Sequence, residues 1–125
     1  MTAFTFHKTE RLCSKILISK LFEKGNRYLN RFPFRFSWVE ANHDGIYPVQ
    51  VIFIVSKKNF PKAHSRNKVK RQLRELYRLN KHELYEKLAD KKWILQIAYS
   101  GKVMIKPGEL EPLFISAFHE LITHA

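Results

Sequence analysis

Five cations, Arg66, Lys68, Lys70, Arg71 and Arg74, fall within the stretch SRNKVKRQLREL, where Glu75 is the only carboxylate. Ammonium groups and guanidinium forks at this density suit one chemistry above others, the binding of phosphate oxygens. From Lys57 to Arg78 there are nine cations against that one carboxylate, a surplus of eight out of a net charge of +12. At about 100° per residue, Asn67, Lys70, Arg71, Arg74 and Arg78 line up as one stripe of a helix. Val69, Leu73, Leu76 and Tyr77 cluster on another side. Like charges at i,i+4 destabilise an isolated helix by about 0.2–0.5 kcal/mol per pair, so the stripe is unfavourable until a polyanion lies against it. A nucleic acid is the expected partner.

Hydrolytic chemistry has weaker support. Two-metal phosphodiester cleavage needs clustered carboxylates, and the two aspartates, Asp44 and Asp90, have no paired spacing. The six histidines (7, 43, 64, 82, 119 and 124) form no recognisable spacing with one another; a metal-free acid–base pair built from them is left open. Cys13 is the only cysteine, so neither an internal disulfide nor a Cys-rich zinc site can form. A reducing compartment is expected, and the cytoplasm with it. The longest uninterrupted apolar run, Val51 to Val55, is far too short for a membrane span, and the N-terminal residues lack a signal-peptide core. Neither a membrane nor a small-molecule substrate is expected.

The elements that must position the basic stripe can be read in order. With 45% hydrophobic residues and no linker-like tract, the 125 residues are expected to fold as a single domain, 1–125. Leu12, Ile16, Leu17, Ile18, Leu21 and Phe22 recur at helical spacing and predict a helix of about three turns, with Gly25 as its stop. In RFPFRFSWVE, Phe32, Phe34, Phe36 and Trp38 alternate onto one face of a strand, and Pro33 places that strand's start or edge. Asp44-Gly45 predicts a turn, so VQVIFIVS should pair antiparallel with the aromatic strand. A long helix is expected from about Ser65, as N-cap, to about Leu88. KKWILQIAYSG follows as a last strand. A C-terminal helix follows that, with Leu113, Ala117 and Leu121 on one face. The class is α+β, a small mainly antiparallel sheet sandwiched with about three helices.

The segment IVSKKNFPKAHSRNKVKRQLRELYR resembles the core signature of the bacterial ribonuclease P protein subunit. The likeness rests on Ser56-Lys57-Lys58, on Ala63, and on Arg66-Asn67-Lys68-x-Lys70-Arg71-x-x-Arg74-Glu75 between a buried strand and a helix. ERLCSKILISKLFEKGNR resembles the family's first helix, so nearly the whole chain is covered. The resemblance implies a ribosomal-protein-like fold with a left-handed βαβ crossover, against the usual right-handed rule. It also implies a binding subunit: the family's catalytic RNA, with bound Mg2+, performs the hydrolysis that removes the 5′ leader of precursor tRNA.

By position, the resemblance assigns Lys57, Lys58, Arg66, Asn67, Lys68, Lys70, Arg71, Arg74 and Arg78 to the surface that meets the catalytic RNA, with Asn67 near a metal site. It assigns Arg11, Ile18, Phe22, Arg35 and Phe36 to a cleft for the leader. Lys68 stands where the family has its second Arg, keeping the charge and losing the fork. Ile18 replaces a common aromatic, and Phe60-Pro61 occupies a loop that usually holds Gly. A ribosomal or general single-stranded RNA-binding protein is the alternative that composition alone allows. A helix-turn-helix DNA reader fits less well, because a strand, not a short helix, precedes the basic segment.

Overall fold

In a computed structural model, residues 6, 8–22, 27–43 and 45–125 are described. Gly25, the expected helix stop, Asp44, the expected turn tip, and His7 lie outside them. Four strands, β1 (Arg27–Arg31), β2 (Phe34–Glu40), β3 (Val49–Val55) and β4 (Trp93–Tyr99), form one sheet in the order β1-β2-β4-β3. Helices α1 (Lys15–Lys20), α2 (Ala63–Leu88) and α3 (Pro107–Ile122) complete it, with a short 3-10 turn at Lys8–Glu10. The α+β class holds. β1–β2 and β2–β4 are antiparallel and β3–β4 is parallel.

The expected hairpin between the aromatic strand and VQVIFIVS does not form. α2 carries the chain back so that β4 inserts between β2 and β3, and the connection after β2 must pass over the start of β4. It is pinned there: Ala41 donates its N–H to the Lys92 carbonyl and Trp93 donates to the Pro48 carbonyl at 2.8 Å. Lys92 Nζ donates to the carbonyls of His43 and Gly45 at 3.0 and 2.9 Å. Buried His43 accepts from the Gly45 N–H at Nδ1, which gives that histidine a structural role.

Strand alternation sorts the sheet into two faces. On one, Phe34, Phe36 and Trp38 of β2 stand beside Tyr99, Ile97 and Leu95 of β4, and all are buried beneath α2 and α3. The Phe114 ring packs on Phe34 at 5.2 Å and on Phe36 at 6.2 Å, and Phe118 lies 6.2 Å from Phe36. Phe32 does not join this wall. It sits in the β1–β2 turn, before a cis Pro33, and is exposed. β1 was not expected, because RYLNR offers no apolar alternation.

α1 covers only part of the opposite face. Leu17 and Ile18 pack with Leu12, Leu21, Ala41 and Ile94, next to Val39 and Ile52. The helix is shorter than its apolar spacing predicts. Leu12 is instead extended beside β3, donating to the Val51 carbonyl at 2.9 Å, and Ser14 caps the helix by accepting from the Leu17 N–H. α2 begins at Ala63 with Lys62 at the N-cap, so Ser65 lies inside it, and no side chain caps its start. On α3, Leu110, Phe114, Ala117, Phe118 and Leu121 face the core, while Leu113 is 43% exposed. The heptad-like face begins one turn position away from the one the spacing suggested.

Candidate nucleic-acid interface

α2 is held by its apolar side: Val69, Leu73, Leu76, Tyr77, Leu84 and Leu88 are buried. Burial of this row fixes the rotation of the helix and turns Asn67, Lys68 and Arg71 to solvent, with Lys70 and Arg74 half-buried at the flank. Among the described residues, the side chains of Lys57, Lys58, Asn67, Lys68, Lys70, Arg71 and Arg74 make no hydrogen bond or ion pair with the protein. Their donors are free for an external acceptor.

Two members of the expected set are committed elsewhere. Arg66 donates through Nη1 to the carbonyls of Phe60 and Pro61, both at 2.9 Å, and so ties the loop before α2 to its first turn. Arg78 forks onto Glu75 one turn back. That contact holds the Glu75 carboxyl below its ordinary range and raises the Arg78 guanidinium, the hydrogen bond between them being the main cause in each case. Both groups are largely solvated, so this pair is weak.

The second surface is the half-covered face of the sheet. Arg35 projects from it, with its guanidinium 5.4 Å from the centre of the Tyr28 ring. Ser37, Gln96 and Ala98 share its strand parity and are half-buried, and Ile54 of β3 is 38% exposed. Ile18 lies at the covered end, packed into the smaller core. Phe22, just past α1, is 72% exposed, a large ring held in water. Phe36 must be removed from this surface. It is fully buried on the opposite face against Phe114 and Phe118, and no ligand can reach it without opening the core. Its parity with Phe34 and Trp38 was the signal: one strand cannot send all three to the core and one of them to the other side.

Arg11 joins the two surfaces. It bridges to Val51 of the β3 edge, and with Lys70 and Arg74 it lines a hollow of about 170 Å3 walled by Phe6 and Phe53. Its guanidinium stands 5.9 Å from the Phe6 ring centre. Three cations on one concavity, two from the helix and one from the N-terminal segment, form a phosphate-sized positive site. The residues missed by sequence reasoning here are Tyr28, Ser37, Gln96 and Ala98; alternation around Arg35 would have found Ser37.

Comparison with known proteins decides the family. A sequence profile described as Ribonuclease P matches residues 6–119. The chain belongs to the ribonuclease P family. A ribonuclease P protein component of Porphyromonas gingivalis is 33% identical over 96 residues, covering 77% of this chain and 69% of that protein. One from Haemophilus influenzae is 32% identical over 88 residues, 67% of each chain. The solved ribonuclease P proteins of Staphylococcus aureus and Thermotoga maritima share the fold, each with a TM-score of 0.66, at 20% and 21% identity. The alignments span 90% and 93% of this chain and 94% and 97% of those. As a ribonuclease P protein component, the chain is part of a ribonucleoprotein that processes the 5′ end of tRNA. Among the described residues no helix is long and apolar enough to cross a membrane.

The Mg2+ implied for the family finds no cage here. Among the described residues no three His, Cys, Asp or Glu side chains cluster to hold a metal ion. Exposed Asn67 offers one neutral amide oxygen, which is too little for a hard divalent cation by itself.

Proposed function

We propose that this subunit lays the free cations of α2, with Lys57 and Lys58, against the catalytic RNA, and presents the half-covered sheet face to the 5′ leader of precursor tRNA. The reaction is hydrolysis of the phosphodiester bond between leader and mature 5′ end, with catalysis and bound Mg2+ residing on the RNA in the cytoplasm. The observation that carries the reading is the selectivity of pairing along α2. Among the described residues, cations from Lys68 to Arg74 have no protein partners, while others on the same helix are tied. Free cations screen the mutual repulsion of RNA phosphates and release their counterions on binding.

Arg66, fixed to the loop carbonyls, orients the start of the helix and keeps its remaining N–H groups for RNA. Arg35, Tyr28 and Phe22 combine a phosphate partner with rings on which unpaired bases stack, at about 1–3 kcal/mol per base. Such contacts carry little base information, so recognition rests on the presence of a single-stranded leader rather than its sequence.

The test is cleavage of a precursor tRNA at moderate magnesium by the protein alone, by a bacterial ribonuclease P RNA alone, and by the mixture. Strong stimulation in the mixture is expected. Cleavage by the purified protein alone would move the chemistry onto this chain, and no stimulation with a matched RNA would remove the proposed role.

A further inference from the structure

Tyr99 ends β4 on the core face, and its ring and hydroxyl act on different segments. The ring is buried, with the Phe34 ring centre 6.4 Å away and that of Phe60 6.0 Å away. The hydroxyl donates to the Val103 carbonyl at 2.7 Å and accepts from the Ile105 N–H at 3.2 Å. The connection from β4 to α3 is thereby folded back onto the residue that precedes it. Gly101 permits the close approach: a Cβ there would stand 2.9 Å from Tyr99 Cε2, inside van der Waals contact with a buried ring.

β3 and β4 are parallel, with Val55 opposite Tyr99, so the segments that leave them emerge side by side. The one after β3 carries Lys57 and Lys58 and is built as firmly. Phe60 donates its N–H to the Ser56 carbonyl at 3.0 Å, the Lys58 N–H donates to Ser56 Oγ at 3.1 Å, and the Phe60 ring packs into the core beside Tyr99. Asn59 Nδ2 crosses to the Ser100 carbonyl at 3.4 Å and joins the two segments. Lys102 lies two residues beyond that bond. It is exposed, and among the described residues its side chain makes no hydrogen bond or ion pair. Residues 56–62 and 100–106 hold Lys57, Lys58, Lys62, Lys102 and Lys106 and no carboxylate.

We propose that Tyr99 is a positioning residue for the RNA contact: its hydroxyl fixes the 100–106 connection beside the 56–60 turn, so that Lys102 meets the same RNA backbone as Lys57 and Lys58. The inference rests on the reading of α2, Lys57 and Lys58 as the RNA surface, and extends that surface to a connection outside α2. Fixing matters because a lysine on a loose loop loses its freedom on binding, and that loss offsets the gain from the phosphate contact. The Tyr99 hydroxyl removes part of the loss in advance, through two backbone groups that side-chain charge does not involve.

The test is affinity for ribonuclease P RNA as a function of salt, with the thermal midpoint recorded for every variant. Lys102→Ala should lower the slope of log affinity against log salt by about 0.7–0.9, the share of one phosphate contact. Lys87→Ala, which removes the same charge from the last turn of α2, should leave the slope unchanged. Tyr99→Phe keeps the ring and loses the hydroxyl, and should weaken binding about two- to tenfold, the range of one hydrogen bond. Gly101→Ala displaces the connection from the ring side and should weaken binding likewise. In a Lys102→Ala background, Tyr99→Phe should cost no further affinity, because the side chain it positions is gone. Losses that add in the combined variant would overturn the proposal. So would folded Tyr99→Phe and Gly101→Ala variants that bind as the unmodified chain does, or a Lys102→Ala slope equal to that of Lys87→Ala. Arg71→Ala with Arg74→Ala reads α2 separately: an unchanged slope there overturns the α2 reading, whereas a reduced slope there with an unchanged one in Lys102→Ala removes the present inference alone.

Discussion

The two halves of α2 carry similar charges to opposite ends. In the first half, Lys68, Lys70, Arg71 and Arg74 have no hydrogen-bond or ion-pair partner among the described residues. In the second, Lys81 is buried and donates to the buried Glu10 carboxylate, whose same oxygen accepts from the Tyr85 hydroxyl. The Lys81 ammonium also lies within 6 Å of three ring centres, those of Phe6, Tyr47 and Tyr85, at 5.7, 5.9 and 5.6 Å. One half is anchored through its charge to Glu10 in the N-terminal segment, and the other carries its cations on the side away from the buried row. Sequence shows only a run of cations; the fold decides which are structural and which can meet phosphate.

The sharpest way to separate the halves is Lys81→Ala. It strands a buried carboxylate, and chemical denaturation should show a loss of about 3–5 kcal/mol. Replacing both partners, Glu10→Leu with Lys81→Met, should recover most of that loss. A loss under about 1 kcal/mol for the single variant would mean that the anchor is not formed.

The two faces of the sheet give a matching contrast between aromatics. Phe36→Ala should destabilise the fold by about 3–5 kcal/mol, as for a fully buried ring. Phe22→Ala should leave stability within about 0.5 kcal/mol and weaken binding of precursor tRNA more than of mature tRNA. Equal weakening on both RNAs would take Phe22 out of leader binding.

Alkaline pH probes the anchored half together with Tyr99 of β4, whose hydroxyl is also raised, chiefly by burial. Burial is the chief cause raising the hydroxyls of Tyr77 and Tyr85 well above the ordinary tyrosine range. Their contribution to stability is complete below the unfolded value, near 10. It falls as pH rises beyond that, because only the unfolded chain releases the protons. The unfolding free energy should fall above pH ~10 by up to about 1.4 kcal/mol per pH unit for each tyrosine, read as a lower denaturation midpoint. Tyr77→Phe should flatten the decline, and an unchanged profile would count against a buried hydroxyl.

The smallest expected effect comes from removing the one carboxylate beside the free cations. Glu75→Gln removes the one carboxylate between Lys57 and Arg78 and raises the net charge of this surface. Stability should hardly change, while RNA binding at low salt should tighten and its salt dependence steepen slightly. Weaker binding would indicate that the pair orients Arg78 for RNA.

How much of this was legible in the sequence depended on the range of the interaction that decides each feature. The register of α2 was readable, because Val69, Leu73, Leu76 and Tyr77 are spaced for one face and burial of that face is local physics. The turn expected at Asp44-Gly45 misled, because strand order is set by where α2 returns β4, a contact far away in sequence. The capture of Arg66 by the Phe60 and Pro61 carbonyls, and of Lys81 by Glu10 across 71 positions, left no mark in composition. Phe36 was the avoidable error, since its alternation with Phe34 and Trp38 already placed it in the core.

The central claim is that the unpaired cations of α2 form the RNA contact. The direct measurement is the salt dependence of binding to ribonuclease P RNA, for the unmodified chain and for Arg71→Ala with Arg74→Ala. Loss of two phosphate contacts should reduce the slope of log affinity against log salt by about 1.4–1.8, with the thermal midpoint unchanged. An identical slope in a folded double variant would contradict the account and place the RNA on another surface of the molecule.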